Sequence, residues 1–309
     1  MSTNSPAIPI LDWRRFDGDK AGFVADLGAA ARDTGFLVLA NHSVSEDMIA
    51  KAFAAGDDFF ALPAATKDAV AIHRSGGTNR GYAGQGTEAL DEASGVKDRK
   101  EAYNIGLELQ DDDLRMGEPF RAPNLWPDLP GFRETMLAYY TAAWDLGVAL
   151  HRAVALDLGL AEDHFDCAFS APMATLRLLH YPAGEKGEDH GAGAHTDYGA
   201  LTLLMTDGVG GLQVQARDSD AWMDVPHVPG AFVINIGDCL MRWTNDVYVS
   251  TPHRVVAPPK RRRSIAFFLD PNPDVEVSAI PGTGAPLYAP VLAGDYLASR
   301  LAATYETPA

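Results

Sequence analysis

The segment AGAHTDYGALTLL, Ala192 to Leu204, places a histidine and an aspartate two positions apart just ahead of an alternating hydrophobic run. At that spacing an imidazole nitrogen and a carboxylate oxygen can meet on one metal ion; the plainer alternative is a polar bend before an ordinary strand. His164-Phe165-Asp166 has the same pattern, and so short a motif arises easily by chance. Context separates the two. His195 and Asp197 read as the head of a strand, where the two-residue period sends both side chains to one face. His164 and Asp166 instead follow the end of a long helical stretch, with no alternating run after them. TPHRVV supplies a further imidazole, His253, at the start of another strand. Two imidazoles and a carboxylate form a facial donor set suited to iron(II), with open positions for a chelating cosubstrate and dioxygen.

A chelating dianion keeps one carboxylate far from the metal. Arg262-Arg263-Ser264, shortly after His253, offers a partner for it. On a strand, Arg262 and Ser264 share a face and Arg263 turns to the other. A guanidinium and a hydroxyl together match a carboxylate.

These residues need elements to hold them. Ile8 to Leu11 reads as a short edge strand, with Pro9 tolerated there. Lys20 to Arg32 and Glu46 to Phe60 have helical spacing, and between them lies the strand Phe36 to Ala40. Thr66 to Ala71 reads as a short helical extension, and Ser75 to Lys100 as a long loop of the kind that often carries function. Gly131 to Leu160 is the longest helical pattern. After Pro172, short β-rich runs alternate with Gly and Pro turns: Ala174–His180, Ala200–Met205, Leu212–Val214, Phe232–Ile236, Arg254–Val256 and Ile265–Leu269. Such a series predicts a barrel or jelly roll. Gly294 to Tyr305 reads as a closing helix.

The net charge is −17, from 42 acidic and 25 basic side chains. That balance disfavours a nucleic-acid or anionic-membrane partner. The basic run Lys260 to Arg263 is short and reads as a solvated face. Cys167 and Cys239 form no disulfide framework and are expected as free thiols. The N-terminal residues show no signal-peptide pattern, and no apolar run is long enough to span a bilayer, so a cytoplasmic protein is expected. The sequence assigns no oligomeric state.

Taken in order, two sets of motifs resemble the iron(II)/2-oxoglutarate-dependent dioxygenases of the isopenicillin N synthase-like branch. IPILDW, GFLVLANHSV, FFALPAATK, RGYAG and DRKEAYNIG match the N-terminal region of that branch. LRLLHYP, AHTDYGALTLL, GGLQV, FVINIGDCLMRWTND, STPHRVV and RRSIAFFLDPN match its catalytic core. The resemblance runs almost end to end. It implies a mainly β core with flanking helices, a double-stranded β-helix (a jelly roll, or cupin-like barrel), preceded by a mostly helical N-terminal region. Residues 1–125 would form the N-terminal dioxygenase-type region, with a substrate loop at 75–100. Residues 126–309 would supply the long helix, the catalytic core and the closing helix.

The resemblance further implies that His195, Asp197 and His253 hold Fe(II), that Arg262 and Ser264 bind the distal carboxylate of 2-oxoglutarate, and that Tyr181 helps to bind that cosubstrate. Leu179 stands where the family usually has Asn, and the turn at Pro258-Pro259 is a residue short, which makes Arg263 a rival for the anion. Arg80 of NRGYAG resembles a position that meets a substrate carboxylate in some branch members, although a surface arginine in a Gly-rich loop reads equally well. Phe267 and Phe268 alternate faces; Phe267 is assigned to the substrate. The implied activity is O2-dependent oxidation of a small-molecule substrate (hydroxylation, desaturation or cyclisation) with succinate and CO2 as co-products. The alternatives are an Fe(II) oxidase of the same branch that uses no 2-oxoglutarate, a zinc hydrolase, since His and Asp also bind zinc, and a non-catalytic ligand-binding barrel.

Overall fold

A computed structural model describes residues 7–88, 97–110, 112–184, 190–217, 219 and 221–305. The first part of the chain contains β1 (Ile10–Asp12), α1 (Arg15–Gly18), α2 (Lys20–Asp33), β2 (Phe36–Ala40), α3 (Glu46–Phe60), α4 (Ala64–Asp68), β3 (Gly81–Ala83) and β4 (Glu101–Gly106). The long helix α5 (Phe132–Asp157) leads into β5 (Thr175–Tyr181), β6 (His190–His195), β7 (Leu201–Thr206), β8 (Leu212–Gln215), β9 (Trp222–Asp224) and β10 (Phe232–Ile236). After them come α6 (Asp238–Trp243), β11 (His253–Val256), β12 (Arg262–Leu269), β13 (Glu276–Val277), β14 (Val291–Leu292) and α7 (Ala293–Tyr305).

The strands build an eight-stranded sheet in the order β1-β2-β10-β7-β12-β5-β4-β3 and a four-stranded sheet in the order β6-β11-β8-β9. Period 2 divides the labour of the large sheet. Leu37 and Leu39 of β2, Leu176 and Leu178 of β5, Leu203 of β7 and Phe267 of β12 face one way, into a core shared with α2, α3 and α5. Phe36, Val38, Leu179, Tyr181, Val233 and Ala266 face the other way, and with Ala192, Val214 and Val255 of the small sheet they make a second core. The space between the sheets is the interior of the jelly roll.

The N-terminal region is mixed rather than mostly helical. β1 and β2 extend the large sheet beyond β10 at one edge, and β3 and β4 extend it beyond β5 at the other. β4, EAYNIG, is buried at every position, so no polar-out alternation marks it in the sequence. Residues 89–96 of the expected loop lie outside the described residues, and Gly81–Ala83 within it is a strand. The edge strand at the N-terminus, the helices α2 and α3, and the closing helix α7 follow the sequence expectation closely. Their ends have local causes. The Asp19 side chain accepts from Gly22 N at 3.2 Å, and Ser45 Oγ accepts from Met48 N at 3.2 Å, which caps α2 and α3.

On the outer face, one carboxylate ties the N-terminal elements to β5. Glu101 accepts from Lys67 Nζ at 2.7 Å, from Tyr82 Oη at 2.7 Å and bonds His180 Nδ1 at 3.0 Å. Burial raises its carboxyl, but the bonds from His180, Lys67 and Tyr82 outweigh this and hold it at about 2. Replacing Glu101 by Leu should cost about 2–4 kcal/mol, because Lys67 would lose its carboxylate in a largely buried place. Because the native pKa is depressed, the contribution is present above the unfolded value of about 4.3 and fades as pH falls towards 2. Urea titrations of both proteins at pH 7 and pH 3 would check it: the gap between them should narrow at pH 3.

Candidate active site

Antiparallel pairing sets His253, the first residue of β11, opposite His195, the last residue of β6. The ring centroids lie 4.4 Å apart. Asp197 follows in the turn before β7, with its Oδ1 3.8 Å from His195 Nε2 and 3.6 Å from His253 Nε2. Ligand atoms from the three residues lie within 4.8 Å of one another. The sequence reading set His195 and Asp197 at the head of β7; His195 in fact ends β6, and the HGAGAH run is drawn into a strand by β11. Glycine and alanine have weak strand propensity, so the segment reads as a loop.

Each donor is already oriented. His195 Nδ1 is 2.8 Å from Gly193 O and His253 Nδ1 is 3.3 Å from Thr251 O, so each Nδ1–H donates to a carbonyl and Nε2 is left as a lone-pair donor. Asp197 Oδ2 accepts from Thr202 Oγ1 at 2.6 Å and from Asn235 Nδ2 at 2.8 Å, which leaves Oδ1 turned to the imidazoles. Burial, and then the neighbouring His253, push the His195 imidazole down to about 4, so the ring is neutral at physiological pH. Burial works against ionisation of Asp197, but His253 and His195 outweigh it and hold its pKa below the ordinary value. Two imidazoles and a carboxylate, convergent on one point, fit a divalent cation with open positions.

These groups line a cavity of about 150 Å³ between the two sheets. On its wall Arg262 pairs in register with Tyr181 and is only 1% exposed. Its Nη1 donates to Ser264 Oγ at 3.2 Å, its guanidinium carbon stands 4.9 Å from the Tyr181 ring centroid, and its Nε has no partner. No carboxylate of the described residues pairs with it. A buried guanidinium left short of an anion, in the same cavity as the donor triad, fits a carboxylate-bearing cosubstrate. Arg263 takes the opposite face and is engaged by Asp57 at 2.5 Å and Asp207 at 3.2 Å. The basic run is therefore a solvated face only in part: Lys260 and Arg261 are exposed, whereas Arg262 is interior and Arg263 is bridged.

The substrate assignment of Phe267 needs correction, as does the surface reading of Arg80. Phe267 is fully buried in the outer core, edge-on to Tyr140 at 5.0 Å, whereas Phe268 lines the cavity. The phase that aims Arg262 and Ser264 inward also aims Ala266 and Phe268 inward. Arg80 is no surface residue. It is 4% exposed, lines the cavity, and donates to Phe120 O at 2.8 Å and Ala122 O at 3.2 Å. His164 and Asp166 lie elsewhere: His164 packs edge-on to Phe165, and Asp166 is bridged to Arg152 at 2.8 Å. Cys167 is exposed, Cys239 is buried, and both are free. Sequence reasoning missed Thr202 and Asn235, which the strand phase of β7 and β10 could have found, and Asp270, just beyond β12.

Residues 8–129 match the family described as the N-terminal region of the non-haem dioxygenase in morphine synthesis, and residues 172–271 match the 2OG-Fe(II) oxygenase superfamily. The chain belongs to the 2-oxoglutarate/Fe(II) oxygenase superfamily, in its isopenicillin N synthase-like branch. It is similar to the 2-oxoglutarate-Fe(II) type oxidoreductase hxnY of Emericella nidulans, with 36% identity covering 97% of this chain and 90% of that protein. A full-length Neurospora crassa protein solved in complex with alpha-KG and thymine superposes with a TM-score of 0.87 at 33% identity, covering 98% of both chains. JOX2, solved with 2OG, Fe and JA, gives a TM-score of 0.78 at 29% identity, covering 96% of this chain and 86% of that one. The protein is a 2-oxoglutarate/Fe(II)-dependent dioxygenase, with Fe(II) and 2-oxoglutarate as its cofactor and cosubstrate. Among the described residues no helix is long and apolar enough to cross a membrane.

Asp270 yields a prediction for the metal-free enzyme. Burial, and then the charge of Asp197, push its carboxyl up to about 7. The native state then keeps a proton that the unfolded chain releases above about pH 4. Stability should fall as pH rises from about 4 to 7 and level off above, a loss approaching about 4 kcal/mol. In Asp270→Asn that component vanishes, so subtracting the two pH–stability curves from chemical denaturation isolates it; parallel curves would show an unshifted carboxyl.

Proposed function

We propose that this dioxygenase oxidises a C–H bond of a small organic molecule held between the sheets. Hydroxylation is the expected outcome, since it requires no second reacting group on the substrate; desaturation and cyclisation are the variants of the same site. The observation that carries this reading is Arg262: a buried guanidinium without a carboxylate partner among the described residues, on the same strand face as Ser264, in one cavity with His195, Asp197 and His253. With both cofactors bound, the site couples decarboxylation of 2-oxoglutarate to succinate and CO2 with transfer of one oxygen atom of O2 to the substrate.

The chain's own residues do the positioning. His195 Nε2, His253 Nε2 and Asp197 Oδ1 hold the metal, and Thr202 and Asn235 fix the carboxylate that faces it. Arg262 and Ser264 take the distal carboxylate of the cosubstrate, with the Tyr181 ring packed against the guanidinium. Leu204, Leu212, Ala266, Phe268 and Met173 give the walls an apolar character that excludes water from the reacting centre. Arg80 keeps a cation on the cavity wall and is the candidate contact for a substrate carboxylate. The Neurospora crassa relative was solved with thymine and JOX2 with JA, which supports a small organic molecule as the substrate class.

The central test is succinate release from 2-oxoglutarate under air, with Fe(II), across a metabolite library; absence of substrate-stimulated succinate would reject the reading. Arg262→Ala should raise the KM for 2-oxoglutarate about thirtyfold to several thousandfold, the equivalent of about 2–5 kcal/mol, and leave Fe(II) affinity nearly unchanged. Ser264→Ala should cost about 1.5–3 kcal/mol at most. Arg263→Ala should lower the melting temperature, through its lost carboxylate partners, with little effect on the cosubstrate.

Metal titrations separate the donors from their supports. Alanine at His195, Asp197 or His253 should abolish turnover and Fe(II) binding. Thr202→Val or Asn235→Leu should weaken the metal about 10–100-fold. His164→Ala should do neither, and full Fe(II) affinity in His253→Ala would overturn the assignment.

A further inference from the structure

On the reading that the cavity oxidises a small molecule, most of its polar wall groups have partners. Asp197 Oδ2 is held by Thr202 and Asn235. Arg177 meets Glu88 at 2.5 Å, and Lys100 meets Asp98 at 2.5 Å and Glu88 at 3.2 Å. Arg80 donates to two backbone carbonyls. Arg262 awaits the cosubstrate. Asp270 stands apart. It is 5% exposed, it lines the cavity, and among the described residues no backbone or side-chain donor reaches it.

The wall is built close around this carboxyl. Gly199 packs so tightly against it that a Cβ there would stand 2.9 Å from Asp270 Oδ1. A carboxyl in such a place costs free energy in either protonation state: ionised it lacks a compensating charge, and neutral it lacks hydrogen-bond partners. Folded proteins leave very few buried polar groups in that condition, and an orphan facing a ligand cavity is explained when the ligand completes it. The metal subsite does not complete it. A divalent cation, the Asp197 carboxylate, the 2-oxoglutarate dianion and the Arg262 guanidinium cancel in charge, so nothing there is left over for Asp270.

We propose that Asp270 is a polar anchor for the substrate: it accepts a hydrogen bond from an N–H or O–H group of a small organic molecule. The substrate class is therefore small molecules that carry a hydrogen-bond donor, such as a lactam or amide N–H, an alcohol or an ammonium group. A substrate whose heteroatoms are all acceptors leaves the carboxyl orphaned and is discriminated against, because unpaired buried polar groups dominate such selectivity.

The test uses Co(II)-loaded protein with 2-oxoglutarate under argon, so that nothing turns over. Matched probes differ only in the donor: a lactam and its N-methyl derivative, a primary alcohol and its methyl ether, a primary ammonium and its trimethylammonium counterpart. Binding is measured by ligand-observed NMR titration. In the wild type at least one donor-bearing probe should bind about tenfold or more tightly than its methylated twin, in line with a hydrogen bond to a carboxylate. In Asp270→Leu the preference should disappear. Asp270→Asn should retain preference for the lactam or alcohol, through its amide oxygen, and lose any preference for the ammonium.

Absence of donor preference in the wild type, or its survival in Asp270→Leu, overturns the proposal. Thermal melts of the ligand-free protein add a readout independent of the probes. At pH 8 both variants should melt higher than the wild type, because they remove an ionised carboxylate that lacks a compensating charge; a lower melting point for both would mean that the carboxyl is already satisfied, and would also overturn it. Titration of 2-oxoglutarate itself, read separately, decides the cosubstrate reading and so keeps the two failures distinguishable.

Discussion

The pairing of β6 with β11 is the constraint on which the site depends. It places His195 and His253 opposite one another, and both imidazoles then converge without a contribution from loop flexibility. The turn that carries Asp197 is clamped from below by the β10–α6 junction. Asp238 N donates to Asp197 O at 2.7 Å, Gly237 N to Ala200 O at 3.0 Å, and Cys239 N to Tyr198 O at 3.1 Å. Gly237 makes this approach possible, since a Cβ there would stand 2.2 Å from Gly199 O. The carboxylate is thus positioned by backbone, and β10 also supplies the Asn235 amide that fixes its rotamer. One ladder and one turn define the metal locus, and the rest of the fold holds those two pieces at a fixed separation.

Strand phase explains most of what could be read in advance. The two-residue period on β12 aimed Arg262 and Ser264 together and turned Arg263 away, and the ladder with β5 brings Tyr181 beneath the guanidinium. The same rule, carried four residues further, selects Phe268 over Phe267. The misassignment of Phe267 came from treating the aromatic pair apart from the phase already fixed by Arg262. Helices α2, α3, α5 and α7 were legible because amphipathic spacing and caps are local signals. The family resemblance then joined residues far apart in the chain, His195 with His253 and Tyr181 with Arg262, which no local pattern could have done.

What was not legible has a common physical origin in pairing between distant segments. HGAGAH is a strand because β11 lies beside it, not because its residues prefer extended backbone; their small side chains keep the cavity open, and a Cβ at Gly191 would come within 3.1 Å of the Tyr181 ring. EAYNIG is a strand because both its faces are covered, and its Glu101 is satisfied by three partners from other elements. Arg80 looked like a surface residue in a Gly-rich loop because its acceptors, the carbonyls of Phe120 and Ala122, lie some forty positions away. Asp270 is silent in sequence for the same reason: its significance lies in the absence, among the described residues, of a neighbour that answers it.

That absence sets Asp270 apart from the carboxylates that serve architecture. Asp157 and Glu101 are saturated. Asp157 accepts from Arg32 at 2.6 Å and from the Tyr248 hydroxyl at 2.6 Å, and Glu101 has its three partners. Inside the cavity the pattern reverses: two imidazole Nε2 atoms, one oxygen of Asp197, the Arg262 guanidinium and the Asp270 carboxyl all face shared space with bonding capacity in hand. Each is individually unfavourable in a folded chain. The cluster persists because the surrounding cores fix the strands that bear it, so the unfavourable groups cannot relax towards one another. Their unmet valences are distinct in kind (lone pairs for a cation, a guanidinium for a carboxylate, a carboxyl for a donor), and three chemically different ligands are needed to satisfy them together.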